Sequence, residues 1–222
     1  MREASTLSEL DRRPIATRDA LWAHRLASRL VQLGLTPNCI SVSSALFATL
    51  GGLALWWSSK LPPFGACLLY LLAAVCIQLR LVCNLLDGMV AIEGGKRTPS
   101  GAVFNELPDR VSDTVLFLGA GYGVGGAWGA TLGLGASLFA MSTAYVRLLG
   151  ASAGVPHDFS GPMAKQHRMA LLTASALAAA VGCHFERARE PLASALVIVN
   201  VGSLWTAVRR AARVVDKLRG ET

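Results

Sequence analysis

Asn84-Leu85-Leu86-Asp87-Gly88-Met89-Val90-Ala91, followed after a short polar loop by Gly101-Ala102-Val103-Phe104-Asn105-Glu106-Leu107-Pro108-Asp109, decides how this chain folds. Here a long apolar run meets polar sequence, and carboxylates stand at the junction. Ionisable groups at the edge of a membrane-length segment are costly, so they mark ion or substrate sites. Asn84 and Asp87 are three apart, and Asn105 and Asp109 four apart, so each pair shares one helical face. Two such faces brought together make an oxygen-lined cage suited to a hard divalent cation, Mg²⁺ or Mn²⁺.

Outward from this stretch the chain is apolar. Of 222 residues 53% are hydrophobic and 16% charged, and the mean hydropathy is +0.46. A soluble domain carries roughly 25% charged residues, so the composition indicates a polytopic, all-α membrane protein. Six apolar segments are expected to span: about 40–57, 64–86, 111–124, 128–149, 169–183 and 192–208. Several are short for a bilayer that needs roughly 20 residues. Gly119, Gly121, Gly123, Gly125 and Gly126 crowd the third-to-fourth connection and read as a loop, a tight turn or a close helix contact. Asn200, polar within the sixth segment, is expected to hydrogen-bond another helix.

Before the first span, 17–35 reads as an amphipathic helix, with Leu21, Trp22, Leu26, Leu30, Val31 and Leu33 on one broad side. It lies either on an anionic leaflet or on the protein's own cytosolic face. The expected organisation is a cytosolic segment over 1–35, a six-helix catalytic domain over 36–209 and a basic cytosolic tail over 210–222. The first thirty residues carry many charges and no short apolar core, so no cleavable signal peptide is expected. Of the 21 Lys and Arg, only Lys60, Arg187 and Arg189 fall on the side opposite both termini. The positive-inside rule then puts both termini and the motif in the cytoplasm, in a bacterial inner membrane. These charges sit between apolar spans, which excludes a nucleic-acid-binding domain. The five cysteines are scattered, form no CxxC, and read as small buried hydrophobes.

The motif resembles the signature of the CDP-alcohol phosphotransferases, D-x2-D-G-x2-A-R-x8-G-x3-D-x3-D. It registers without gaps on Asn84, Asp87, Gly88, Ala91, Gly101, Asn105 and Asp109. Asn84 and Asn105 replace two of the four carboxylates, and Ile92 replaces the arginine. The resemblance implies transfer of a phosphatidyl group from CDP-diacylglycerol to an alcohol, with release of CMP, in phospholipid synthesis. It implies a metal site of Asn84, Asp87, Asn105 and Asp109, with Asp109 as the base, and a homodimer among membrane lipids.

Glu106 reads either as a compensating metal ligand or as a partner of Arg110, and Asp113 shares the Asp109 face. Gly88, Ala91 and Gly101 would let the nucleotide approach closely. Arg97 or Lys96 would replace the missing arginine, or serve only as topology charge. Arg147, Lys165 and Arg168 would hold an acceptor phosphate, or face lipid headgroups. Two other readings stand beside the enzyme: a non-catalytic CDP-lipid-binding member of the family, and a small transporter.

Overall fold

The computed structural model describes residues 20–95 and 100–220. The helices are α1 (Leu21–Gln32), α2 (Pro37–Ser58), α3 (Pro63–Glu93), α4 (Gly101–Val124), α5 (Gly126–Ser152), α6 (Lys165–Gly182) and α7 (Arg189–Arg219). A short 3₁₀ turn, Cys183–Phe185, follows α6. No strand occurs among the described residues.

Local sequence starts the first two long helices. The Thr36 hydroxyl accepts from the Cys39 amide at 3.3 Å, and Pro37 takes the first helical position, where its missing N–H costs nothing. Pro63 opens α3 in the same way. Among the described residues, five helices are long and apolar enough to cross a membrane: α2, α3, α5, α6 with its 3₁₀ turn, and α7. The chain is an all-helical, multi-pass membrane protein. The third expected span corresponds to α4, which does not qualify, because it carries Asn105, Glu106, Asp109, Arg110 and Asp113. Pro108 lies inside α4, and the helix runs on through it.

Buried alanines hold the bundle together. Ala48, Ala73, Ala120, Ala136, Ala176 and Ala179 are wholly buried beside Leu55, Phe117, Leu172 and Leu196. Large apolar side chains such as Leu46, Leu72, Leu138, Val201 and Trp205 point outward, where hydrocarbon replaces water as the solvent. The crowded glycines divide by role. Gly125 and Gly126 make the α4–α5 turn, with φ of 83° and 65°. Gly119, Gly121 and Gly123 sit inside α4. A Cβ on Gly119 would strike the Gly52 backbone, one on Gly121 the Gly129 carbonyl, and one on Gly123 the Leu55 carbonyl. Small residues thus let helices meet at backbone distance, the usual device of membrane bundles. Asn200 meets its expectation by donating to the Leu132 carbonyl on α5 at 2.9 Å.

α1 packs through Ala23 and Ala27 onto Ile40, Leu85, Leu86, Met89 and Val90. Of its expected apolar side, Leu26, Leu30 and Val31 join this cluster, while Leu21, Trp22 and Leu33 stay exposed. The end of α3 pins it further. Glu93 bonds His24 Nδ1 at 2.8 Å and accepts from the Ser28 hydroxyl at 3.3 Å. Residues 17–19 of the expected helix lie outside the described residues. α7 continues well past the expected end at 208, and Arg210 is buried, donating to the carbonyls of Ser160 and Thr143, each at 2.9 Å.

Candidate active site

α3 presents Arg80, Asn84 and Asp87 at positions i, i+4 and i+7, along one stripe. α2 supplies two hydroxyls to that stripe. Ser41 donates to Asp87 Oδ2 at 2.7 Å, and Ser44 donates to Asn84 Oδ1 at 3.0 Å and to the Arg80 carbonyl at 3.4 Å. α4 brings Asp109 and Asp113, one turn apart, against it. Arg80 Nη2 donates to Asp113 Oδ1 at 2.6 Å and lies 3.5 Å from Asp109 Oδ1. α6 closes the far side. The Lys165 ammonium donates to Asp109 Oδ2, and Arg168 Nη2 donates to Asp113 Oδ2 at 3.0 Å. Arg168 Nη1 also reaches Thr143 Oγ1 at 3.2 Å and the Met163 carbonyl at 2.9 Å. Asp87 lies within electrostatic reach of both Asp109 and Lys165. The two halves of the motif therefore share one site.

The other expected residues fall around this centre. Glu106 turns to Arg147, whose Nη2 donates to its Oε1 at 2.5 Å, and its Oε2 is 3.6 Å from Arg110. Arg110 is also 3.8 Å from Asp109. Asn105 is exposed. Gly88 and Ala91 are half-buried on α3, Ile92 is exposed, and Gly101 begins α4. Lys96 and Arg97 lie outside the described residues. His167 is exposed on α6 and contacts the Pro162 carbonyl.

Sequence reasoning missed Arg80, which it counted as a loop charge. Arg80 is wholly buried in the middle of α3. Its spacing of four and seven from Asn84 and Asp87 was the available signal. Arg210 was assigned to the tail and escaped notice for the same reason.

The loop between α5 and α6 is tied to α7. Asp158 accepts from the Ser160 amide at 2.8 Å, from the Ser160 hydroxyl at 2.5 Å and from Arg213 at 2.8 Å. Burial alone would raise the Asp158 pKa, but these donors outweigh it and hold the carboxyl below its ordinary value.

Among the described residues, no group of three or more His, Cys, Asp and Glu is placed to hold a metal ion. The physical reason is pairing. Asp109 is engaged by Lys165 and Arg80, Asp113 by Arg80 and Arg168, and Glu106 by Arg147 and Arg110. Asp87 and Asn84 are in turn engaged by the hydroxyls of Ser41 and Ser44. Among the described residues, four carboxylates (Asp87, Glu106, Asp109, Asp113) thus face five cations (Arg80, Arg110, Arg147, Lys165, Arg168), leaving one net positive charge. Such a site suits an anion.

No protein-family model matches the chain. Its curated relatives include phosphatidylinositol phosphate synthase of Mycobacteroides abscessus, 27% identical over 190 residues, which covers 83% of this chain and 80% of that protein. Inner membrane protein YnbA of Escherichia coli is 28% identical over 179 residues, covering 81% and 84% respectively. Phosphatidylinositol phosphate synthase of Mycobacterium marinum is 34% identical over 94 residues, 42% of this chain and 36% of that one. The fold matches that of Mycobacterium tuberculosis phosphatidylinositol phosphate synthase with CDP-DAG bound, with a TM-score of 0.68 at 22% identity over 86% of this chain and 92% of that one. A crystal structure of the same synthase in complex with manganese and citrate matches with a TM-score of 0.68 at 22% identity, over 86% of this chain and 88% of that one. With its motif in register and these relatives along most of its length, the chain resembles the CDP-alcohol phosphotransferases, with Asn84 and Asn105 standing where the signature has aspartate.

Proposed function

We propose that this protein transfers a phosphatidyl group from CDP-diacylglycerol to an alcohol and releases CMP. The observation that supports this reading is that Asp87 and Asp109, from the two halves of the motif, lie within electrostatic reach of each other beside the cations of Arg80 and Lys165. In the reaction, the alcohol oxygen bonds to the phosphatidyl phosphorus and the bond from that phosphorus to the CMP oxygen breaks. Asp109 takes the hydroxyl proton, and CMP leaves as the anion. Lys165 moves from the Asp109 carboxylate to the phosphate oxygens as the donor enters, which frees Asp109 to act as the base. Arg147 and Arg168 then hold a phosphate on the acceptor, with Glu106 giving way at Arg147. Gly88, Ala91 and Gly101 leave room for the nucleotide, and Arg97 supplies charge in place of the signature arginine at Ile92.

The proposal places six spans in a bacterial inner membrane, α4 among them, with both termini and the site cytoplasmic. α1 lies along the inner leaflet with Leu21 and Trp22 toward lipid. The domain limits at 35 and 209 and the homodimer belong to the same reading. Mg²⁺ or Mn²⁺ is the cofactor the family implies, and the manganese complex of the mycobacterial synthase agrees with that. The side chains of the free site do not fit it as a resident ion, so the steps above rest on the protein's own groups.

The test is CMP release from CDP-diacylglycerol in membranes, with a panel of alcohols and mass spectrometry of the lipid product. Asp87→Ala and Asp109→Ala should each abolish release. Wild-type rates in either purified variant would remove that residue from the site. Full occupation of Asp109 by cations favours a second reading, a non-catalytic CDP-lipid-binding protein. Donor binding with no CMP release under any condition would select it.

A further inference from the structure

We propose that with no donor bound this site holds no divalent cation, because the Lys165 ammonium stands in the cation's place on Asp109, and that a metal enters only together with the donor's pyrophosphate. The phosphatidyl-transfer reading is needed only to identify that pyrophosphate.

Charge is the first argument. Aspartate at 84 and 105, as in the signature, would set six carboxylates against the same five cations, a net negative site. The two amides present here reverse the sign. A bare dication approaching a net-positive buried cluster is repelled, and burial leaves that repulsion poorly screened.

Unpaired donors are the second argument, and they are independent of the first. Arg80 Nε and Nη1, Arg168 Nε and Asn84 Nδ2 are buried with no hydrogen-bond partner. Buried polar atoms are ordinarily satisfied. These four unpartnered atoms on Arg80, Asn84 and Arg168 are all N–H donors, and an oxygen-rich anion among them would satisfy them. Glu106 Oε2 is the one orphan acceptor in the cluster among the described residues, and Arg110 stands 3.6 Å away.

Lys165 is the movable piece. Among the described residues it is the single ammonium on the site, carried on a flexible stem, whereas the guanidiniums of Arg80 and Arg168 are locked by Asp113. When the doubly ionised pyrophosphate arrives, Lys165 transfers to its oxygens, and Asp109 and Asp87 are released toward a cation. A dication arriving on that pyrophosphate adds no net charge to the cluster, so the same site that rejects the bare ion accepts the pair.

The experiment titrates Mn²⁺ alone into the purified full chain in detergent, following free Mn²⁺ by electron paramagnetic resonance. It is repeated with CDP-diacylglycerol, against protein-free mixed micelles. The wild type should show no saturable Mn²⁺ site up to millimolar concentration without donor, and a site roughly 100-fold tighter with it. Lys165→Met should acquire donor-free Mn²⁺ binding, with its melting curve reporting folding. Stoichiometric donor-free binding by the wild type overturns the proposal, whatever the variant does. So does a donor that adds no Mn²⁺ site. Absent CMP release with this Mn²⁺ pattern intact would sink the enzyme reading and leave the present inference standing.

Discussion

Asp113→Asn removes a carboxylate that two wholly or nearly wholly buried guanidiniums share, and the cost follows from the geometry. Arg80 donates to Asp113 Oδ1 at 2.6 Å from α3, and Arg168 to Oδ2 at 3.0 Å from α6, so one side chain on α4 ties three helices. The neutral amide keeps the shape and one acceptor but loses the charge. Breaking a buried ion pair by neutralising one partner costs about 3–5 kcal/mol, because the other charge stays desolvated. A chain of this size loses roughly 2–4 °C of melting temperature per kcal/mol, so the expected fall is roughly 6–20 °C. The loss is uneven. Arg80 keeps Asp109 at 3.5 Å, whereas Arg168 keeps only the neutral oxygens of Thr143 and Met163. Arg168→Met should therefore rescue Asp113→Asn more than Arg80→Met does. Replacing all three residues by Met, Leu and Met should return stability close to the wild type, since apolar groups of similar volume carry no desolvation penalty. The assay is scanning fluorimetry of the purified protein in detergent. A drop below about 2 °C for Asp113→Asn, on the same conversion, would refute the triad as a structural tie.

Other outcomes follow from the same contacts. Gly119→Ala places a methyl group on the Gly52 backbone, with no flexible atom to yield, so it should cost about 1–3 kcal/mol in melting experiments; an unchanged melting temperature would show that the helices stand further apart. Asn84→Asp should raise the Mn²⁺ affinity measured with CDP-diacylglycerol present at least tenfold, since a carboxylate about 6 Å from a dication contributes several kcal/mol before desolvation at an effective dielectric of about 20. Asn105→Asp should keep or raise that affinity by less, because Asn105 is exposed; a fall measured by calorimetry would count against both residues as ligand positions. Asp158 has its pKa lowered on folding, so its stabilising effect is present above the unfolded value of about 3.9 and fades as the pH falls through the lower folded value. The melting-temperature gap between wild type and Asp158→Asn should accordingly be open at pH 7 and closed in acid; an equal gap at both would show that charge is not what ties this loop to α7.

Much of this protein was legible along the chain. Apolar run lengths set the helices, Thr36-Pro37 and Pro63 set where two of them begin, and the spacing within Asn84–Asp87 and Asn105–Asp109 set which side chains share a face. Those features depend on a residue and its neighbours within a turn or two, so periodicity exposes them. What the chain did not disclose was pairing. Arg80 looked like a topology charge beside a loop, and only the crossing of α3 with α4 and α6 turned it into the wholly buried partner of Asp113. Glu106 was open between a metal and Arg110 until α5 set Arg147 against it. Gly119 was open between a loop and a contact until α2 laid the Gly52 backbone upon it. The charge of the site has the same origin. Sequence supplied the missing carboxylates at Asn84 and Asn105, but the five cations that outweigh those remaining come from four helices, and their sum over one small volume exists only once the bundle has closed.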